Sequence, residues 1–295
     1  MVVWGGSFIA SKIGLRQLYP VELATFRFAI AVPLLIAITL LLEGKSAFKI
    51  ARKDLPILVI MALTGVTLQY IFQFYGMTLT SVTDTALLIN MGTFFVIIPS
   101  ALFLRERLSL DNWIGVVVAF LGAFVIATGG SIVFSMNLVG DGLVLICAVM
   151  WATYMLVGNR LAGKYSVLAQ LNYIFIIGFI GLIPAYLLSP RHAISDFSAT
   201  SWACILYLAI ICSVFAYFIF NDSIIKLGPS RAAIYQYLEP LFAIFYAIVL
   251  LGEPLTVLVA AGAIFIMVGI AMADNNLKIF GYILKEPVPA KKENQ

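Results

Sequence analysis

Charge is scarce in this chain of 295 residues. Asp, Glu, Lys and Arg make up 11% of it, where a soluble globular domain carries about 25%. Apolar residues make up 63%, against the usual 45–50% or so. So few charges cannot clothe the surface of a soluble protein, and the composition points to an all-α integral membrane protein. Histidine is rarer still: His192 is the only one, in a loop without the ligand cluster a metal ion needs. The three cysteines, Cys147, Cys204 and Cys212, show neither pair nor metal spacing and read as small apolar residues. No Walker loop, glycine-rich dinucleotide motif or nucleophile elbow occurs. An enzyme, a bound cofactor and an ATP-driven pump are therefore not expected. The net charge of +4 does not imply a nucleic-acid partner, because basic residues in so apolar a chain are first expected as topology markers beside the bilayer.

What the chain has is long apolar runs. Ten are read, over Val2–Leu15, Val21–Leu42, Leu55–Met77, Thr85–Leu104, Trp113–Thr128, Val139–Ala162, Val167–Leu188, Trp202–Ile225, Ala232–Leu251 and Val257–Ala273. The first is short: about 14 residues of helix rise ~21 Å, less than the ~30 Å hydrocarbon core, so either the start is truncated or this helix stops part way. A cleaved signal peptide is disfavoured, since no basic region precedes the run. With the N-terminus inside, cytoplasmic segments hold Lys45, Lys49, Arg52, Lys53, Arg105, Arg107, Arg160, Lys164, Lys226, Arg231, Lys278, Lys285, Lys291 and Lys292. That is fourteen of the eighteen basic residues. The outer loops keep only Arg16 and Arg191. This positive-inside bias places both termini in the cytoplasm.

The chain also repeats itself. At a single offset of 147 residues, Trp4 matches Trp151, Tyr70 matches Tyr217, Glu106 matches Glu253, Gly115 matches Gly262 and Gly122 matches Gly269. Matches among Leu and Ile are cheap in membrane sequence, whereas coincident Trp, Glu and Gly are not. Residues 1–128 and 139–275 thus form two five-helix units, and 276–295 form a polar cytoplasmic tail. An odd number of crossings per unit inverts the second relative to the first, an arrangement secondary transporters use around a midplane site.

The stretches WGGSFIASKIGL, ELATFRFAIAVPLL and YLEPLFAIFYAIVLLGEPLT resemble the EamA type of the drug/metabolite transporter superfamily. The resemblance covers nearly the whole chain and both repeats. It implies the EamA-like fold of ten transmembrane helices and an inner-membrane permease for amino acids, related metabolites or drugs, usually working outward. Two departures stand out. The residues that normally precede the Trp motif are missing, and Thr93 stands where the second repeat has Pro240, so a kink in the fourth segment is expected later, at Pro99.

Polar residues recurring four apart in an apolar helix mark a stripe that lipid would not favour. Candidate substrate-binding residues are Gln69 and Gln73 in the third segment, Tyr217 and Asn221 in the eighth beside Ser213, and Tyr235, Gln236 and Glu239 in the ninth. Trp4, Ser7, Asn90, Trp151 and Tyr154 complete the set. Together they describe a pocket with amide and hydroxyl groups on aromatic walls, suited to a small amphipathic solute. Each residue has a plainer alternative: amides glue membrane helices together, and tryptophans form interfacial belts.

Glu239 is the sharpest signal. It sits near the middle of a membrane-length segment, where a charge costs at least ~2.5 kcal/mol on insertion scales and normally marks a pathway. Its repeat equivalent is Gly92, so the shared scaffold does not require it. Arg27, about 7–8 Å away in depth by helix rise, is either its partner in a coupling or structural charge pair or a residue that snorkels outward. Glu106 and Glu253 follow helix ends and read as turn residues. Gly115, Ala119 and Gly122 in the fifth segment, with Gly262, Gly269 and Ala273 in the tenth, let helices approach closely, either as support between the halves or as a homodimer contact. The expected function is an alternating-access carrier driven by a solute or proton gradient. The alternatives are a membrane scaffold or sensory subunit and a channel or lipid-moving protein.

Overall fold

The computed structural model describes residues 1–80, 82–103, 108–128, 137–251 and 256–274. Glu106, Glu253 and the tail lie outside them. Among the described residues the chain is helical, with no strand. The helices are α1 (Val2–Gly14), α2 (Pro20–Leu42), α3 (Arg52–Leu79), α4 (Val82–Asn90), α5 (Gly92–Phe103), α6 (Leu110–Thr128), α7 (Leu138–Leu161), α8 (Val167–Leu188), α9 (Ala199–Leu227), α10 (Pro229–Ile234), α11 (Leu238–Leu251) and α12 (Val257–Ala273). Six of them, α2, α3, α6, α7, α8 and α9, are long and apolar enough to cross a membrane, and Leu87–Phe103 and Val257–Ala273 are shorter apolar helices. The protein is an integral membrane protein.

Helix starts follow local capping chemistry. Asn137, Ser166, Ser198 and Thr256 each accept from a backbone N–H three residues on, satisfying a donor that the first turn leaves free. At the start of α2, the Glu22 carboxylate accepts from the Tyr19 N–H at 2.8 Å, with Pro20 in the first helical position.

Away from the helix ends, departures from α geometry come in pairs. α3 contains a π turn at Leu63–Thr67 and α9 one at Tyr207–Phe215. Shifting the first by 147 residues places it inside the second. The fourth apolar segment breaks at Met91, between α4 and α5, and the ninth tightens to a 3-10 turn at Tyr235–Tyr237, between α10 and α11. Pro240 accounts for the latter, because it has no N–H to give the Gln236 carbonyl and its ring crowds that group. Pro99, where the kink was expected, lies within α5, and the chain already turns earlier, at Met91, whose carbonyl takes the N–H groups of both Phe94 and Phe95.

The loops gather at two opposite ends. After α2 and α7, Tyr165 Oη donates to Asp54 at 2.7 Å, Lys164 Nζ lies 3.2 Å from the same carboxylate, and Tyr173 Oη donates to the Phe48 carbonyl at 2.7 Å. After α1 and α8, Ser201 donates to Gln17 at 2.7 Å, His192 Nδ1 lies 3.0 Å from Glu22, and the Tyr19 and His192 rings stack 4.8 Å apart.

The glycine faces of α6 and α12 meet each other within the chain. A methyl group on Gly115 would come within 2.5 Å of the Gly269 carbonyl oxygen, and one on Gly122 within 2.6 Å of the Gly262 oxygen. The helices run in opposite directions with backbones touching, and Ile97, Val116, Tyr237 and Ile266 close a compact apolar cluster around the seam.

Candidate functional site

The helices that carry the π turns and the broken segments contribute to a cavity of about 70 Å³, lined from α1, α2, α3, α4, α7, α9 and, around the start of α11, Gln236 and Glu239. This is room for a few waters, well short of the roughly 300–1,000 Å³ of a drug-sized site, so a solute would require the walls to part. Trp4, Ser7, Gln69, Gln73, Trp151, Tyr217, Gln236 and Glu239, all expected from the sequence, line it together with Arg27.

Four expected residues lie elsewhere. Tyr154 is fully buried behind the wall, where its hydroxyl donates to Asn221 Oδ1 at 2.6 Å, and the Asn221 amide donates to the Tyr217 carbonyl at 2.9 Å. These two are helix-joining groups. Asn90 is outside the lining, to which its neighbour Ile89 contributes. Tyr235 points away and donates to Asp274 at 2.7 Å. It faces a second, larger cavity of about 450 Å³ between α1, α9 and α10–α11, whose lining is apolar apart from Ser223 and Tyr235. Of the two, the smaller cavity is the better candidate site despite its size, because amide, hydroxyl, guanidinium and carboxyl groups converge in it.

Tyr154 provides a test of this division. Tyr154→Phe is expected to destabilise the detergent-solubilised protein by about 0.6–1.7 kcal/mol, the range for buried polar contacts between membrane helices. It should leave the affinity for a transported solute unchanged, so thermal unfolding and solute binding measured on one preparation should separate.

The two intramembrane charges share the cavity but do not pair. Among the described residues no ion pair joins Arg27 to Glu239. Arg27, 3% exposed, donates from Nε to Ser213 Oγ at 2.7 Å, and its guanidinium lies 4.3 Å from the centroid of the Tyr70 ring. A hydroxyl and an aromatic face thus hold the cation in place of the expected carboxylate. The Glu239 side chain is left on the cavity wall, half-buried. Its helix is pressed against α1 at Gly5, where a methyl group would come within 2.8 Å of Phe242 and Ala243. The carboxylate is free to meet a cation, a proton or a hydrogen-bond donor. Gln69 Oε1 likewise has no protein donor, although Gln69 is only 7% exposed.

Above the cavity, aromatic rings close one side. Trp4 and Trp151 meet edge to face at 5.8 Å, and both touch Tyr217 at 5.7 Å. Phe220 lies 5.0 Å from Trp4 and 5.4 Å from Trp151. The Tyr70 and Tyr217 hydroxyls are 2.9 Å apart. In both the Trp pair and the Tyr pair, a residue touches its own equivalent 147 positions away. Tyr70 is a cavity-lining residue that site reasoning from sequence missed, and its repeat match with Tyr217 was the signal for it; Ser213, already part of the polar stripe of the eighth segment, is what holds Arg27. Among the described residues no group of His, Cys, Asp and Glu is arranged to hold a metal ion.

The pattern of the EamA-like transporter family matches residues 1–128 and 138–273. The chain belongs to that family. Its relatives include an archaeal protein of Archaeoglobus fulgidus named an uncharacterized transporter, 34% identical over 92% of this chain and 93% of its own. A Salmonella typhimurium protein named a probable amino-acid metabolite efflux pump is 26% identical over 96% of this chain and 93% of its own. A crystal structure 18% identical in sequence superposes with a TM-score of 0.79 over 93% of each chain, a likeness of fold. The EamA-like chain described here is accordingly a membrane transporter. Its relatives are named as transporters or efflux pumps, and no catalytic family is indicated.

Proposed function

We propose that this protein is an alternating-access carrier that exports small amphipathic metabolites, amino acids or their relatives among them, across the inner membrane. In this reading ten helices cross the bilayer as two inverted five-helix units, residues 1–128 and 139–275, with both termini in the cytoplasm. The observation that carries it is the meeting of repeat equivalents: Trp4 with Trp151, Tyr70 with Tyr217, and the glycine face of α6 with that of α12 running the other way. Residues lying on a two-fold axis touch their own copies, and an axis in the membrane plane relates two halves of opposite orientation. The same rocking motion can then open the cavity to either side. Trp4, Ser7, Gln69, Gln73, Trp151, Tyr217 and Gln236 would hold the solute, and Glu239 would take its cationic or donor group. Export follows the naming of the efflux-pump relative. A homodimer would have to use helix faces other than the glycine seam, which is occupied within the chain.

The test has two steps. Amino acids, nucleobases and small aromatic cations are screened for thermal stabilisation of the purified protein, since a ligand that favours the folded state raises its apparent stability. The best stabiliser is then loaded unlabelled into proteoliposomes, and uptake of external label is followed. Transient accumulation of label above equilibrium is the expected result. Passive equilibration without overshoot would indicate a channel and overturn the carrier reading.

A further inference from the structure

The aromatic cluster contains a hydrogen-bond pattern that breaks the symmetry of its own residues. The π turns supply the acceptors: pairing with the fifth residue along frees a carbonyl that an α-helix would use, and Gly65 and Cys212, 147 residues apart, lie one in each turn. Trp4 Nε1 donates to the Cys212 carbonyl at 2.9 Å. By symmetry Trp151 should donate to Gly65, yet its Nε1 is buried with no protein acceptor. The Gly65 carbonyl is taken by the Tyr217 hydroxyl at 2.9 Å. Because Tyr217 gives its one proton to Gly65, Tyr70 must be the donor in the 2.9 Å contact between the two hydroxyls.

Exchanging every residue for its repeat equivalent yields a second pattern from the same groups. Trp151 would donate to Gly65, Tyr70 to Cys212 and Tyr217 to Tyr70, and Trp4 would hold the unused N–H. Both patterns contain three bonds and one spare indole donor. We propose that Trp4, Tyr70, Trp151 and Tyr217 are positioning residues that exchange between these two patterns as the cavity turns from one face of the membrane to the other. The inference rests on the carrier reading proposed above. An unused buried donor is costly, but here the same cost falls on Trp151 in one state and on Trp4 in the other, so it cancels in the difference. A carrier needs that balance, because a state several kcal/mol above the other is too rarely occupied to return the empty site.

The exchange predicts effects of opposite sign from two tyrosines that bond each other. Tyr217→Phe removes two bonds from the observed pattern and one from its mirror. Tyr70→Phe removes one and two. Trp4→Phe weakens only the observed pattern, and Trp151→Phe only the mirror. The reporter is Ser7→Cys, a near-isosteric change on the cavity wall, in a Cys147→Ala background that removes the other cavity thiol. Labelling by a charged, membrane-impermeant thiol reagent is timed from each face of oriented vesicles, on variants shown to be monodisperse. Relative to the parent, Tyr217→Phe and Trp4→Phe should move the ratio of the two rates about two- to tenfold one way, the value of one net hydrogen bond. Tyr70→Phe and Trp151→Phe should move it as far the other way. If the parent labels from both faces but the two tyrosine variants move together, or neither reaches twofold, the exchange is overturned and alternating access stands. If the parent and all four variants label from one face alone, alternating access itself fails, and the exchange with it.

Discussion

Replacing Glu239 with Gln is expected to lower solute affinity about ten- to 150-fold, the value of a hydrogen bond to a charged group, while the protein stays folded. The expectation rests on the carboxylate having no side-chain hydrogen bond or ion pair among the described residues. Arg27 is held by Ser213 and Tyr70, and no ion pair reaches Glu239 among the described residues, so neutralising it orphans no partner. A glutamine of the same shape preserves packing against α1 and removes only the charge and the proton. If solute and protons compete at this group, the variant should also transport at a rate independent of pH where the parent's rate varies. Proteoliposome uptake measured from pH 5 to 9 reads both effects. An unchanged affinity with an unchanged pH profile would remove Glu239 from the mechanism.

The largest effect on stability is expected at the seam of α6 and α12. Gly115→Ala and Gly269→Ala should each cost about 1–3 kcal/mol, the usual penalty for overpacking. Their new methyl groups would lie 2.5 and 2.6 Å from carbonyl oxygens of the facing helix, and backbone cannot swing aside as a side chain can. Gly142→Ala in α7 is the control. Nothing lies within 4 Å of a methyl group there, so the gain in helix propensity, up to about 1 kcal/mol, should leave that variant as stable as the parent or more so. Thermal unfolding in detergent distinguishes them. Equal melting temperatures for all three variants would show that the seam tolerates separation.

Much of the candidate cavity's lining was legible from stripes and repeats. Gln69 and Gln73, four apart in one apolar helix, both reach the cavity, as do Trp4 and Trp151, the clearest repeat anchors. The failures share a cause. Tyr154 and Asn221 carry the same polar signature, but their spacing cannot tell whether they face a cavity or each other across a helix contact. Tyr235 follows the periodicity of Glu239 as though the helix ran unbroken. The 3-10 turn at Tyr235–Tyr237 changes the angle between them, and Tyr235 turns to Asp274. The pairing of Arg27 with Glu239 was inferred from depth alone, and depth leaves out lateral position, where Ser213 and Tyr70 were nearer.

Composition and apolar run length were enough to determine that this chain lives in a membrane and that it is built of apolar helices. Those properties follow from free energies of transfer that act residue by residue and add along the chain. Which polar groups find one another was decided only by tertiary structure. The π turns at Leu63–Thr67 and Tyr207–Phe215 rotate the helices that follow them and bare the carbonyls of Gly65 and Cys212. The four aromatic donors then compete for those acceptors, a contest among residues as far as 208 positions apart in sequence that settles only when the helices are packed.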